Sequence, residues 1–97
     1  MKITFKINYH TNWGQNLYLV GSAEELGANT NGKALPMKYE ENGDWSLEVE
    51  VTSVKKFTYS YLILDGSKNY TGEYFAERNF ASVAGKENYI IQDTWRG

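Results

Sequence analysis

Residues 57–63 read FTYSYLI, with an apolar or aromatic side chain at every second position. Successive side chains of an extended strand point to opposite sides, so a period of two predicts a half-buried β-strand. The buried face is expected to carry Phe57, Tyr59, Tyr61 and Ile63. Residues 2–8 and 45–51 show the same alternation. These three stretches predict the long strands of an all-β protein.

Shorter apolar runs fill the rest of the chain. Residues 17–20 predict a more buried strand and residues 89–91 a closing strand, with weaker strand patterns at residues 34–37, 69–73 and 79–82. Seven or eight short strands separated by regular turn signals are typical of an immunoglobulin-like antiparallel β-sandwich, which is the fold that we predict.

Glycine and asparagine mark the breaks between these strands, since both residues accept the positive φ that tight turns need. The dipeptide Asp65-Gly66 predicts a hairpin. The one helix candidate is residues 23–27, a single turn that Ser22 would cap and Gly27 would end.

The size and charge of the chain limit what it can do. Its 97 residues predict a single domain, residues 1–97, too small to enclose a deep catalytic cleft. The net charge is -2 and the basic residues are scattered, so we expect neither nucleic-acid binding nor attachment to an anionic membrane. The chain lacks cysteine and a stretch resembling a signal peptide, so we expect a cytoplasmic protein.

Catalytic chemistry is poorly supported by the sequence. His10 is the single histidine, and neither a Gly-x-Ser-x-Gly elbow nor a phosphate loop accompanies it. Glu48 and Glu50 form the polar face of a strand, and we expect Glu24 and Glu25 to be solvated. A stand-alone glycan-cleaving enzyme would instead need two carboxylates in a concave pocket. We therefore predict no catalytic residue, no metal site and no cofactor.

Aromatic residues make up 15% of the chain, and their positions separate core from surface. Trp45 lies on the apolar face of a strand, which predicts a core residue, and Trp95 is expected to pack at an edge. Trp13 stands in the turn-like sequence Asn12-Trp13-Gly14, where no period buries it. We predict that Trp13 stacks on a ligand, and that Tyr39, at a strand end, binds with it.

The ordered set of motifs resembles carbohydrate-binding module family 20, the starch-binding domains, over essentially the whole chain. The opening TNWGQNLYLVGS at residues 11–22 carries the resemblance most clearly. The other matching segments are residues 25–27, 34–37, 44–45, 57–61, 73–74, Arg78 and residues 93–96. The variants of these motifs are most similar to the N-terminal modules of 4-α-glucanotransferases in glycoside hydrolase family 77.

The resemblance implies two sugar sites. The positions of the second site fall on Trp13 and Tyr39, with Gly14 and Lys38 as neighbouring hydrogen-bond donors. Those of the first site fall on Asn29, Ser60, Glu73 and Tyr74, where the family pattern has two tryptophans and a lysine. Because Asn29 and Ser60 replace a tryptophan and the lysine, the first site is degraded and we favour the second.

The resemblance therefore implies a non-catalytic module that binds an α-1,4-glucan such as starch, glycogen or maltodextrin. It also implies a second module and a catalytic domain beside it, with the module standing at the N-terminus of a larger 4-α-glucanotransferase. The alternative is a docking module that kept the fold, lost its sugar sites and packs against a partner domain.

Overall fold

The strands form two sheets in the computed structural model. The structure describes residues 1–67, 69–72 and 77–95. Two short 3-10 turns, Glu24–Leu26 and Asn31–Lys33, follow the second strand. The strands are β1 (Lys2–Asn8), β2 (Asn16–Gly21), β3 (Leu35–Pro36), β4 (Lys38–Tyr39), β5 (Asp44–Glu50), β6 (Lys56–Leu64), β7 (Tyr70–Gly72), β8 (Arg78–Ala81) and β9 (Asn88–Thr94).

The strands form a β-sandwich, which confirms the predicted fold class. Sheet A has the order β4-β5-β1-β9, and sheet B has the order β3-β2-β6-β7, with β8 paired to β6. Within the described residues every strand pair is antiparallel except β1 and β9, which run parallel with Ile3 opposite Tyr89 and Phe5 opposite Ile91. A fully antiparallel sandwich was the sequence-based expectation. A period of two shows which face is buried but does not show the direction of a neighbouring strand.

The inner faces of the two sheets form the core. On β6 the side chains of Phe57, Tyr59, Tyr61 and Ile63 are all buried, as the alternation predicts. Phe5 of sheet A meets Tyr59 of sheet B edge to face, with ring centroids 5.1 Å apart. Burial of one such aromatic ring is worth about 1.5–3 kcal/mol, and the ring pair adds about 0.5–1.5 kcal/mol.

A polar cluster joins the two sheets inside this aromatic core. The Asp93 carboxylate of β9 accepts hydrogen bonds from the hydroxyls of Tyr59 and Tyr61, at 2.9 and 2.7 Å, and pairs with Arg78 at 3.2 Å. Burial, and after it the hydrogen bond to Asp93, raise the pKa of Tyr61, so its phenol stays protonated and remains a donor. Polar groups buried in this way need such partners.

Glu25 is partly exposed, in line with the expected solvated carboxylate, but it also makes hydrogen bonds that the sequence did not indicate. Its oxygens accept hydrogen bonds from the Ser53 hydroxyl at 2.5 Å and from the backbone N–H groups of Thr52 and Ser53 at 2.6 and 3.0 Å. The Ser53 hydroxyl, and after it the Thr52 N–H, lower the pKa of Glu25 to about 2. Glu25 thus ties the first 3-10 turn to the connection between β5 and β6.

Ser22 also differs from its expected role. The short turn begins after Ala23 without a side-chain cap, and the Ser22 hydroxyl instead accepts a hydrogen bond from the Thr58 N–H at 3.0 Å. Gly27 does end the turn, with a φ of 90°. The helix candidate is therefore a single 3-10 turn, as its length indicated.

The stretch that was expected to form one weak strand at residues 34–37 lies instead at a crossing between the sheets. Leu35–Pro36 pairs with β2 in sheet B, whereas Lys38–Tyr39 pairs with β5 in sheet A. Met37, between them, is buried. This crossing carries Tyr39 to the edge of sheet A. In the described part of the chain, the structure has no helix long and apolar enough to cross a membrane.

Candidate functional site

Trp13 lies at the corner of a tight turn between β1 and β2. The Gln15 N–H donates to the Asn12 carbonyl at 3.1 Å, and the Gln15 side-chain oxygen accepts from the Asn12 N–H at 2.8 Å. The turn is thus closed from both sides, and its second residue, Trp13, projects away from the protein. Its side chain is as exposed as in a free peptide, at 103%.

Gly14 supplies the backbone conformation that this turn needs. Its φ is +84°, the value that the third residue of a type II turn adopts and that side chains other than glycine rarely tolerate. A Cβ placed on Gly14 would touch nothing within 4 Å, so glycine is needed for its conformation and not for space. Gly14 therefore fixes the direction in which Trp13 points.

Tyr39, on β4, is held from two sides although it is 52% exposed. Its ring meets the buried Trp45 ring edge to face, with centroids 5.1 Å apart and planes at 68°. Its hydroxyl accepts a hydrogen bond from the Gly43 N–H at 3.2 Å. Trp45 in turn donates its ring N–H to the Tyr9 carbonyl at 3.1 Å. The exposed ring is thus anchored to the core.

The structure brings Trp13 and Tyr39 together in one shallow surface concavity of 420 Å³, which we call the Trp13–Tyr39 concavity. Among the residues that the structure describes, its lining contains no charged side chain, only aromatic, amide, hydroxyl and glycine groups. The lining residues are Thr11, Asn12, Trp13, Gly14, Gln15, Asn16, Tyr39 and Trp45.

Lys38 is the one predicted neighbour that does not line this concavity. It pairs with Ser46 on β5, whereas Tyr39 pairs with Trp45. Because successive residues of a strand face opposite sides, the Lys38 side chain leaves on the outer face of sheet A, away from Tyr39. Its position next to Tyr39 in the sequence therefore does not place it beside the concavity.

Gln15 and Asn16 line the concavity but were not among the predicted contacts. The sequence contained a signal for them, because a turn that exposes Trp13 also places the residues that close it nearby. Trp45 was expected in the core and is buried there, yet part of it also forms the floor of the concavity.

The residues predicted for the first site lie elsewhere. Asn29 donates its N–H to the Gly21 carbonyl at 2.8 Å, and Ser60 pairs with Val20, so both lie by the end of β2 that is remote from Trp13. Asn29 is exposed and Ser60 is half-buried. Glu73 and Tyr74, the other two predicted residues, lie outside the described residues.

The carboxylates nearest to a concave surface do not form a desolvated acid–base pair. Glu40, Glu41 and Asp44 border a separate depression on sheet A, where all three side chains are exposed. Glu40 accepts a hydrogen bond from Ser46 at 2.7 Å, and Asp44 accepts one from Asn8 at 2.7 Å. Glycoside hydrolysis needs one carboxyl whose burial keeps it protonated. The described residues also contain no cluster of metal-ligating side chains.

Comparison with known proteins identifies relatives of this chain. The sequence model of the starch binding domain family matches residues 1–91. An alpha-amylase of Streptomyces violaceus is 31% identical over 93 residues, which are 96% of this chain and 16% of that enzyme. The rice 4-alpha-glucanotransferase DPE2 (Oryza sativa subsp. japonica) is 33% identical over 70 residues, which are 69% of this chain and 7% of that enzyme.

Solved structures show the same fold. A gamma-CGTase from an alkalophilic Bacillus clarkii superposes with a TM-score of 0.88 at 28% identity, over 99% of this chain and 15% of that one. The family 20 module of a maltotetraose-forming amylase of Pseudomonas saccharophila superposes with a TM-score of 0.73 at 14% identity, over 94% of this chain and 100% of that one. The chain spans less than a fifth of the enzymes that it matches.

Proposed function

The chain belongs to the starch-binding domain family, a family of non-catalytic binding modules, and we propose that it binds α-glucan at the Trp13–Tyr39 concavity. The observation that carries this proposal is a fully exposed indole beside a braced tyrosine ring in an uncharged lining. An exposed aromatic patch on a small protein marks a binding surface, because a Trp ring left in water forgoes the free energy of its burial.

The chemistry of the concavity matches that of an uncharged sugar polymer. Each glucose ring has a face of C–H groups that covers a flat aromatic ring, and hydroxyls at its rim that need hydrogen-bond partners. Trp13 and Tyr39 supply the rings, and the Asn12, Gln15 and Asn16 amides lie around them. The Trp45 contact already holds the Tyr39 ring, and the turn fixes the backbone at Trp13, so part of the ordering that binding requires is already present in the free protein.

The expected affinity is modest. A ring covered by one sugar buries about 60–80 Å², which is worth about 1.5–2 kcal/mol at about 25 cal/mol/Å². Two rings and a few weak hydrogen bonds lead to a dissociation constant of about 1 mM to tens of μM. Such a site acts by avidity on a polymer with many equivalent positions. That behaviour fits a module that targets an enzyme to its substrate.

We also propose that the parent protein is a cytoplasmic 4-α-glucanotransferase with a neighbouring second module and a catalytic domain. The rice relative supports the transferase, and the lack of cysteine suits a reducing compartment. The test is to incubate the full-length protein with maltotriose. A transferase produces longer maltodextrins together with glucose, whereas release of short sugars without elongation would indicate an amylase or glucoamylase.

Binding to the polymer itself is tested by sedimentation with insoluble starch. Wild-type protein should leave the supernatant, and Trp13→Ala should remain there. Ile90→Ala is the matched control, because Ile90 is an exposed apolar residue on the outer face of sheet A, remote from the concavity. Wild-type protein that stays in the supernatant while folded would contradict the proposal.

The docking module remains the second candidate because Asn29 and Ser60 lack the aromatic and cationic groups of the first site. A docking surface would use the same exposed Trp13 against a protein partner. The docking hypothesis predicts that no glucan binds this surface, so the starch sedimentation experiment also distinguishes docking from glucan binding.

A further inference from the structure

The outer faces of the two sheets differ in chemistry. The outer face of sheet A is a charged solvent face that includes Lys2, Lys6, Glu48 and Glu50, and Lys2 pairs with Glu48 at 3.2 Å. On the outer face of sheet B, the described strand residues are uncharged apart from Lys56, at the far end of β6. They include Asn16, Tyr18, Val20, Pro36, Thr58, Ser60, Leu62, Leu64, Tyr70 and Gly72.

Two tyrosines of the outer face of sheet B lie close together. Tyr18 on β2 stands opposite Leu62 of β6, and Tyr70 on β7 stands opposite Leu64, so the two residues are separated by two strand spacings and offset by two residues. Their backbones are therefore about 12 Å apart. Their ring centroids are nevertheless only 6.2 Å apart, with the planes at 86°. The rings therefore lean towards each other over β6, and beneath them Leu62, an outer-face residue, is 6% exposed.

The pair is available to a ligand. Tyr70 is 36% exposed and Tyr18 is partly exposed. Pro36, opposite Tyr18 on β3, is exposed, and Gly72, opposite Leu62 on β7, adds no side chain. Neither tyrosine hydroxyl has a hydrogen-bond partner among the described residues. The surface thus offers ring faces and edges with hydroxyls at their rim.

This surface also adjoins the Trp13–Tyr39 concavity. Asn16 lines the concavity, and on β2 it stands opposite Leu64, which stands opposite Tyr70 on β7. The first residue of β2 therefore belongs to both surfaces. A polymer that leaves the concavity past Asn16 reaches the tyrosine pair without crossing a charged side chain of the described strands.

We infer that Tyr18 and Tyr70, with Pro36 beside them, form an additional α-glucan contact on the outer face of sheet B. The inference rests on the proposed function, because it takes the ligand to be α-glucan. Among the described residues this surface is aromatic and uncharged, and its two tyrosine hydroxyls have no partner, which suits a neutral sugar, whereas the charged face of sheet A does not. The pair adds to the concavity and does not involve Asn29 or Ser60.

The experiment is a maltoheptaose titration of ¹⁵N-labelled protein, followed by the amide signals of Tyr18, Leu62 and Tyr70. In Trp13→Ala, these signals should still shift. Adding Tyr70→Ala should weaken that remaining response by about tenfold, as expected for one lost ring, whereas Tyr70→Phe should keep it within about threefold. Because Tyr70→Phe retains the ring, it separates loss of contact from loss of folding.

The outcomes distinguish the two proposals. If shifts are confined to residues 11–16 and Tyr39 and vanish in Trp13→Ala, the tyrosine pair is no sugar contact, although the concavity is one. If only the amide signals around Tyr18 and Tyr70 shift, the tyrosine pair is a sugar contact and the Trp13–Tyr39 concavity is not. If no signal shifts, both are wrong. If Tyr70→Ala alters self-association but not the sugar response, the face belongs to a second copy and the inference is overturned.

Discussion

Tyr39 rests edge to face on Trp45, with ring centroids 5.1 Å apart, so that a half-exposed residue of the candidate site is fixed by a buried residue of the core. Trp45 is itself held by its hydrogen bond to the Tyr9 carbonyl. The position of the Tyr39 ring is therefore set before any ligand arrives, and its orientation depends on the same packing that stabilises the sandwich.

Substitution of Tyr39 should separate the ring from its hydroxyl. Tyr39→Ala removes the ring face and should weaken maltoheptaose binding by about tenfold. Tyr39→Phe keeps the ring on Trp45 and loses only the hydrogen bond from Gly43, so binding should fall by no more than about threefold. Isothermal titration calorimetry measures both. Equal loss in the two variants would show that the ring face is not what the sugar contacts.

Gly14→Ala should impair binding through the backbone. The positive φ makes any side chain unfavourable there, at a cost of about 1–2 kcal/mol. The turn then relaxes and Trp13 changes direction, so binding should fall several-fold while the chain stays folded. Gly32→Ala is the matched control, because a Cβ there also meets nothing within 4 Å but no positive φ is required. Unchanged binding in Gly14→Ala would mean that the turn does not orient Trp13.

Glu25 should make stability depend on acid pH. Its pKa is lowered to about 2, so its stabilising effect is complete above the ordinary value of 4.5 and is lost as the pH falls from there towards about 2. Thermal melts should show Glu25→Gln less stable than wild type at pH 7, by about 1 kcal/mol, and less dependent on pH in that window. Glu24→Gln, an exposed neighbour, is the control. Parallel wild-type and Glu25→Gln profiles would contradict this assignment.

The polar cluster in the core should affect stability and leave binding alone. Asp93→Asn removes the carboxylate that faces the buried Arg78, which should cost about 3 kcal/mol or more in urea unfolding. Tyr61→Phe removes one hydrogen bond to that carboxylate and should cost about 1–2 kcal/mol. Both variants should bind maltoheptaose as wild type does. A loss of affinity in folded Tyr61→Phe would mean that the cluster is coupled to the sugar surface.

Alternation of side chains was sufficient to predict the β-sandwich class. Apolar residues at every second position of residues 57–63 fit the side-chain period of a strand and do not fit that of a helix. The alternation did not predict the parallel pairing of β1 with β9, nor the crossing at Met37, since strand direction and sheet membership depend on contacts that are distant in sequence.

Prediction of the candidate site shows the same limit. The exposure of Trp13 followed from its turn, and its proximity to Tyr39 was expected only from the resemblance to a family. Lys38 was placed beside Tyr39 because the two are adjacent in sequence, yet the strand sends its side chain to the other face. Tyr18 and Tyr70 are 52 residues apart, and only the order of the strands brings their rings together.

The most direct test of the central claim is a titration of the domain with maltoheptaose, followed by tryptophan fluorescence in wild type and Trp13→Ala. Of the three tryptophans, Trp45 is buried and Trp95 is half-buried against Tyr9, so the fully exposed Trp13 should dominate a ligand-dependent change in emission. We expect a saturable blue shift with a dissociation constant between about 1 mM and tens of μM, and its loss in the variant. No binding to folded wild-type protein at about 10 mM sugar, or binding that Trp13→Ala leaves intact, would contradict the claim that this concavity holds the glucan.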